Sequence, residues 1–239
     1  MGIESWAPIF CIATGGYISL ETVTGCENSV LLAIADTTSL REWKATLENA
    51  ATFSLPDLME RASRTENHLK RVIEECSSNM ERAAIVGMPE KDDRLSALAA
   101  ATSLEGFCRN SQTTAITRIF ACAALVYLNV VVYGAHPDHP QIYGSVSQFA
   151  TALKELRERS ILGLLAWPLC VACCMASEDQ KDTFRELCKE VKIVSDLKMV
   201  NLKRSLMIVE ECWRLRRDTN ETADWQRAME CLKMEILLI

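Results

Sequence analysis

Three places in this sequence of 239 residues carry side chains whose types and spacing could do chemistry. Cys170 and Cys173 form a C-x-x-C pair with Cys174 adjacent, the spacing of half a zinc site or of a dithiol redox centre. A structural zinc ion needs four ligands, yet the next cysteine is Cys188 and no histidine follows it. The pair also sits in an apolar run just after Pro168, where a charged metal centre would be costly. We read these thiols as core packing. The second place is His136-Pro137-Asp138-His139-Pro140, two imidazoles and a carboxylate that could begin a metal site. The one remaining histidine, His68, is far away on a charged helix, so a turn with proline-fixed geometry is the better reading. The third is Arg214, Arg216 and Arg217 after Trp213, which could contact phosphate or import machinery. Three arginines near a helix C-terminus are also favoured by the helix dipole alone.

Catalytic signatures do not compete with these readings. G-x-S-x-G, G-x-x-x-x-G-K-[ST] and G-x-G-x-x-G are all absent, and Gly15-Gly16 alone is too little for a phosphate loop. With 3 histidines in the chain, candidates for a general base at neutral pH are few. We assign no catalytic, cofactor-binding or metal-ligating residue and expect no enzyme. The 11 cysteines are scattered and odd in number, and most occupy apolar positions of helical patterns. That suits a reducing compartment, in which cysteine acts as a small buried hydrophobe. The formal charge is −6, most of it in residues 1–120. An acidic chain repels phosphate backbones, so direct nucleic-acid binding by these residues is not expected.

The elements that must position these groups read as helices throughout. Hydrophobic residues make up 49% of the chain against 9 Gly and 6 Pro, and no strand-like alternation of useful length appears. Residues 1–23 read as an irregular lead-in or short helix without a signal-peptide pattern. Val30, Leu31, Ile34, Leu40 and Trp43 mark a first helical face. Leu55-Pro56-Asp57 starts a long amphipathic helix over about 57–86, buried on Leu58, Ala62, Leu69, Val72, Cys76, Met80 and Ala83 and stopped by Gly87-Met88-Pro89. Residues 90–110 predict a further helix on Leu95, Leu98, Ala99 and Phe107, followed by the most apolar run, Ile116 to Gly134. Ser145 opens a helix on Val146, Phe149, Leu153 and Leu156; the next is 161–176, with Pro168 near its middle. Ser177 and Gln180 have capping-box spacing and lead into Phe184, Leu187, Cys188 and Val191. The last two helices use Leu202, Leu206, Val209 and Trp213, then Trp225, Met229, Leu232 and Ile236. The fold class is all-α, a multi-helix bundle or irregular array of helix pairs in one domain, 24–239.

The order of the most specific pieces resembles a known family. Gly163 to Leu187 (GLLAWPLCVACCMASEDQKDTFREL) gives an apolar helix with Trp167-Pro168-Leu169 and a short acidic break, and two Trp-marked helices follow. Upstream, a Gly25-Cys26 step precedes a helix that ends near Trp43-Lys44, and AALVYLNVVVYGAHPDHPQ supplies an Ala-rich helix and a His-Pro turn. Together these resemble the fungal-specific transcription factor domain, the helical regulatory region downstream of a two-zinc, six-cysteine cluster. The resemblance implies a non-enzymatic nuclear domain that regulates RNA polymerase II transcription through protein contacts or an effector. Its implied partners are other transcription regulators or a homodimer partner, with a possible small-molecule effector. DNA would be reached only indirectly and no membrane is involved. No zinc cluster stands in this chain, so zinc is expected only in an upstream cluster of a longer parent, and we expect an N-terminally truncated or cluster-less member. Two competing readings are a membrane-associated helical protein using 116–133 and 161–176, and a small-molecule-binding helical protein or helical enzyme. Arg118, Asn129 and the shortness of both apolar runs favour buried core helices over spans.

Overall fold

Scarce Gly and Pro leave little to interrupt a helix, and every regular element among the described residues of this computed structural model is helical. The structure describes residues 20–86, 96–156, 159–186, 200–219 and 222–234, with side chains at 83–86, 96–110 and 159–160 left aside. The elements are α1 (Glu21–Thr24), α2 (Asn28–Asn49), α3 (Leu55–Val86), α4 (Ser96–Tyr133), α5 (Pro140–Lys154) and a 3-10 turn (Arg159–Leu165). They continue with α6 (Ala166–Cys174), a helical stretch at 181–186, α7 (Val200–Thr219) and α8 (Trp225–Leu232). The all-α expectation holds.

The axis of the fold is α4, against which α2, α3, α5 and α6 all pack. From Ile116 to Val132 every residue is buried, on all sides of the helix, as expected of a helix enclosed by neighbours. Ser111–Tyr133 is long and apolar enough to cross a membrane, but 89% of its apolar window is buried inside the protein. Buried polar side chains along it find partners on neighbouring segments, although Arg118 Nε is buried without one among the described residues. Arg118 forms an ion pair with Glu155 at the C-terminal cap of α5, and Asn129 Nδ2 donates to Gln141 O at 3.1 Å and Ser145 Oγ at 3.3 Å. Glycine matters at both edges of this packing. Gly25 closes α1 at φ +70°, and a Cβ there would sit 2.8 Å from Ile116 Cδ1; Gly134 closes α4 at φ +84°. Only glycine takes such angles without steric cost.

Several helical bounds differ from the sequence reading, each for a physical reason. Residues 90–110 and 116–134 do not form separate helices, because α4 runs unbroken from Ser96 with no Gly-Pro stop between them. α5 begins at Pro140 rather than Ser145; Pro suits the first helical position, whose N–H has no intrahelical acceptor. The 161–176 run is a 3-10 turn followed by α6, so Pro168 falls in the first turn of α6 and breaks nothing. The long helix over 57–86 is α3, with Leu58 and Leu69 fully buried and Ile73 added to the face. Residues 1–19, the Gly87-Met88-Pro89 stop, Leu95, Leu187, Cys188, Val191 and Ile236 lie outside the described residues, as do the side chains of Ala83, Leu98, Ala99 and Phe107.

Candidate functional site

The residues that could do chemistry are placed where they hold the fold. Cys170, Cys173 and Cys174 are fully buried in α6. Cys212 of α7 packs beside them, with its Sγ 3.3 Å from Ala223 O and 3.8 Å from Cys174 O. Burial raises the Cys174 pKa well above the thiol range, and Cys212 is raised by its bond to Cys174 and by burial. A thiol that resists ionising is a poor nucleophile and a poor ligand. Among the described residues no group of three or more His, Cys, Asp and Glu is arranged to hold a metal ion.

The His-Pro stretch forms the turn between α4 and α5. His139 N–H donates to His136 O at 3.0 Å, and the His139 ring stacks on Tyr133 with centroids 4.3 Å apart. Of the three arginines, Arg214 pairs with Glu211 at 2.7 Å and Asp218 at 3.1 Å, and Arg217 pairs with Asp218. Arg214 holds the Glu211 carboxyl below its ordinary pKa through that hydrogen bond. Arg216 donates through Nε to Ala223 O at 2.9 Å and so ties the α7–α8 connection to α7. These side chains serve the helix end and its loop, in keeping with the dipole argument.

The Trp-marked signature has a structural explanation. Trp213 of α7 donates from Nε1 to Cys173 O at 2.8 Å, a carbonyl in the last turn of α6 that also accepts from Ala176 N–H at 3.2 Å. Trp167 stacks on Phe120 at 6.0 Å and meets Tyr127 edge-on at 6.4 Å, while Tyr127 meets Trp225 edge-on at 5.5 Å. The three tryptophans thus lock α6, α7 and α8 together and onto α4. Between α6 and α7, the Ser177–Gln180 cap behaves as its spacing predicts in one half: Ser177 N–H donates to Gln180 Oε1 at 3.2 Å. Gln180 Nε2 then reaches Tyr143 O and Ser147 Oγ of α5. Asp224 caps α8, accepting from Gln226 N–H and Arg227 N–H at 3.0 Å. The Trp43-Lys44 pair anchors the other end, where Lys44 Nζ donates to Val131 O at 2.8 Å in the last turn of α4.

One surface feature is not consumed in this way. An open groove of about 760 Å³ runs between α2 and α3, lined by Asp36, Ser39, Leu40 and Trp43 on one wall. Asp57, Glu60, Arg61, Arg64 and Thr65 form the other. Arg61 lies over the Trp43 ring, 4.4 Å from its centroid. The sequence pattern shows α3 as amphipathic but not that Trp43 of α2 faces its charges. The signal was available in the i, i+3, i+4, i+7 repeat of Asp57, Glu60, Arg61 and Arg64, once Trp43 is placed on the neighbouring wall.

Residues 5–239 match the family described as the fungal specific transcription factor domain, and the chain belongs to that family. It is 30% identical over 207 residues to the transcription factor ntnD of Nectria sp, an overlap covering 87% of this chain and 32% of that protein. It is 28% identical to a trichothecene biosynthesis transcription regulator of Fusarium sporotrichioides, over 93% of this chain and 46% of the relative. Against the ustiloxin B cluster transcription factor ustR of Aspergillus flavus the figures are 28%, 99% and 37%. The chain therefore spans less than half the length of these curated relatives. No solved structure matches it.

Proposed function

We propose that this chain is the regulatory region of a nuclear transcription factor, acting on RNA polymerase II transcription through protein contacts or an effector. DNA binding is then supplied by a zinc cluster elsewhere in the parent protein. The observation that carries this reading is the family match across 5–239, together with relatives named as transcription factors. The acidic balance of the chain supports a role away from the phosphate backbone, and the packing of the thiols, histidines and arginines into structural duties supports a role other than catalysis. One relative is named for trichothecene biosynthesis and another for the ustiloxin B cluster, and we extend the reading to control of a biosynthetic gene set.

The test is a fusion of residues 1–239 to a heterologous DNA-binding domain, assayed on a reporter carrying that domain's sites. Transcription should change several-fold relative to the DNA-binding domain alone, in either direction, with the fusion in the nucleus. A stably expressed nuclear fusion that leaves the reporter at the control level in every condition tried would overturn the proposal. Transcript profiling after disruption of the gene checks the extension, which fails if no biosynthetic gene set responds.

A further inference from the structure

The α2–α3 groove carries a charge pattern that the chain itself leaves unanswered. Asp36, Asp57, Glu60, Arg61 and Arg64 all line it, and none forms an ion pair with another described residue. Proximity in sequence does not explain this. Asp57 with Arg61 and Glu60 with Arg64 have the i, i+4 spacing that favours pairing on a helix. Further along the same helix Glu66 and Lys70 use that spacing and close to 2.6 Å. In the groove neither pair closes, and Arg61 is drawn instead onto the Trp43 ring.

The order of these charges selects an occupant. Along α3 the two acids, Asp57 and Glu60, come first and the two bases, Arg61 and Arg64, come second, all on one stripe about 10 Å long. A helix laid antiparallel in the groove must offer bases opposite the acids and acids opposite the bases. The α3 stripe of a second copy, reversed by a two-fold axis, does so: position 57 faces 64 and position 60 faces 61. A parallel arrangement would set like charges against each other. Two-fold contacts are isologous, so each match occurs twice and four complementary pairs form. Leu40 and Trp43 supply an apolar strip in the groove. A small molecule fits less well, because ligand sites enclose most of their ligand among apolar walls, and this trough is open and edged with exposed charges.

We propose that the α2–α3 groove is a homodimer interface in which α3 of one copy lies antiparallel to α3 of the other, centred between Glu60 and Arg61. The interface is electrostatic in character, so its strength falls with salt over the range in which the Debye length shrinks below the spacing of the charges.

Sedimentation equilibrium of the full chain tests this directly. Wild type should pass from monomer to dimer with rising concentration, with the dissociation constant weakening about tenfold or more between low and high salt. The acid-reversed variant Asp57→Lys/Glu60→Lys and the base-reversed variant Arg61→Glu/Arg64→Glu should each be monomeric at concentrations where wild type is dimeric. Mixed in equal amounts, the two variants should recover a heterodimer, because each then presents a uniform charge opposite to the other's. All four positions are exposed, and an unchanged circular dichroism melt confirms that each variant folds. A wild-type chain that stays monomeric, as it would if the groove served another protein or a small zwitterion, overturns the proposal. So does a dimer that survives both reversals, or a mixture that fails to restore association.

Discussion

Trp213 and Trp43 are each partnered by a cation, yet they belong to regions of opposite character. Trp213 is 7% exposed, its indole N–H is bonded to Cys173 O, and Lys181 and Arg185 lie 5.5 and 5.6 Å from its ring. Those cations are themselves paired, Lys181 with Glu178 and Arg185 with Asp182. Trp43 is half-buried on a groove wall, and the arginine over it has no ion-pair partner among the described residues. The same aromatic–cation contact closes a network in one place and leaves one open in the other. In the α6–α8 region the indole N–H of Trp213 and the Arg216 Nε are bonded to backbone carbonyls of neighbouring segments, which fixes helices to one another. In the α2–α3 region charged groups are left over, which is what a surface with a partner requires.

Trp213→Ala removes a buried ring and leaves Cys173 O without its indole donor, and should cost roughly 3–5 kcal/mol in chemical denaturation. Trp213→Phe keeps most of the packing and should cost less, about 1–3 kcal/mol, which separates ring from hydrogen bond. A loss under about 1 kcal/mol for the alanine variant would mean that α6 and α7 are held by something other than this contact.

The buried thiols of α3 and α4 make stability depend on alkaline pH. Desolvation by burial pushes the Cys122 thiol in α4 up to about 12 and Cys76 in α3 up to about 11, against an ordinary value of 9.0. A thiol whose pKa is higher in the folded chain than in the unfolded one keeps its proton longer when folded. Its contribution to stability is therefore whole below about pH 9 and is lost as pH climbs toward the folded value. For Cys122 alone the slope is about 1.4 kcal/mol per pH unit across that window. Urea midpoints measured from neutral to alkaline pH should fall accordingly, and Cys122→Ala should flatten the curve by about that slope. An identical pH dependence in the variant would show that Cys122 does not titrate differently on unfolding.

How much of this was legible beforehand depends on what kind of signal each residue carries. Leu202, Leu206, Val209 and Trp213 were readable as a buried stripe because a 3.6-residue period is a one-dimensional property, and all four are buried. The continuity of α4 was not: the patterns at 90–110 and from Ile116 read as two elements, whereas one helix runs unbroken through both. Thr117 was also missed: it is fully buried and its Oγ1 accepts the Glu27 N–H at the start of α2. That partner lies 90 residues away, and nothing local announces it. The groove was illegible for the same reason, since its two walls come from separate helices. Cys170, Cys173 and Cys174 read as core positions from the apolar run around them, and all three are fully buried.

A smaller effect lies at the connection between the groove's two walls. Ala51 has φ +55° in the turn that ends α2, with its own N–H donating to Glu48 O and Thr52 N–H donating to Leu47 O. This is the Schellman arrangement, whose left-handed position favours glycine. Ala51→Gly should therefore stabilise the chain by up to about 1 kcal/mol, although glycine also loosens the unfolded state. Destabilisation would indicate that the turn takes another geometry in solution.

The smallest effect is the most informative about the groove. If the α2–α3 charges serve a partner rather than the fold, Arg61→Gln should change monomer stability by no more than about 0.5 kcal/mol, since Arg61 is exposed and holds only the Trp43 ring. Denaturation must be followed at a concentration where the chain is monomeric, because a dimer adds its own association free energy to the apparent stability. Under that condition a loss above about 1.5 kcal/mol would place Arg61 with Trp213 among the residues that build the fold, and the contrast between the two tryptophans would disappear. A near-neutral result at low concentration, together with a concentration-dependent loss in the dimer, would locate the cost of removing Arg61 in association alone.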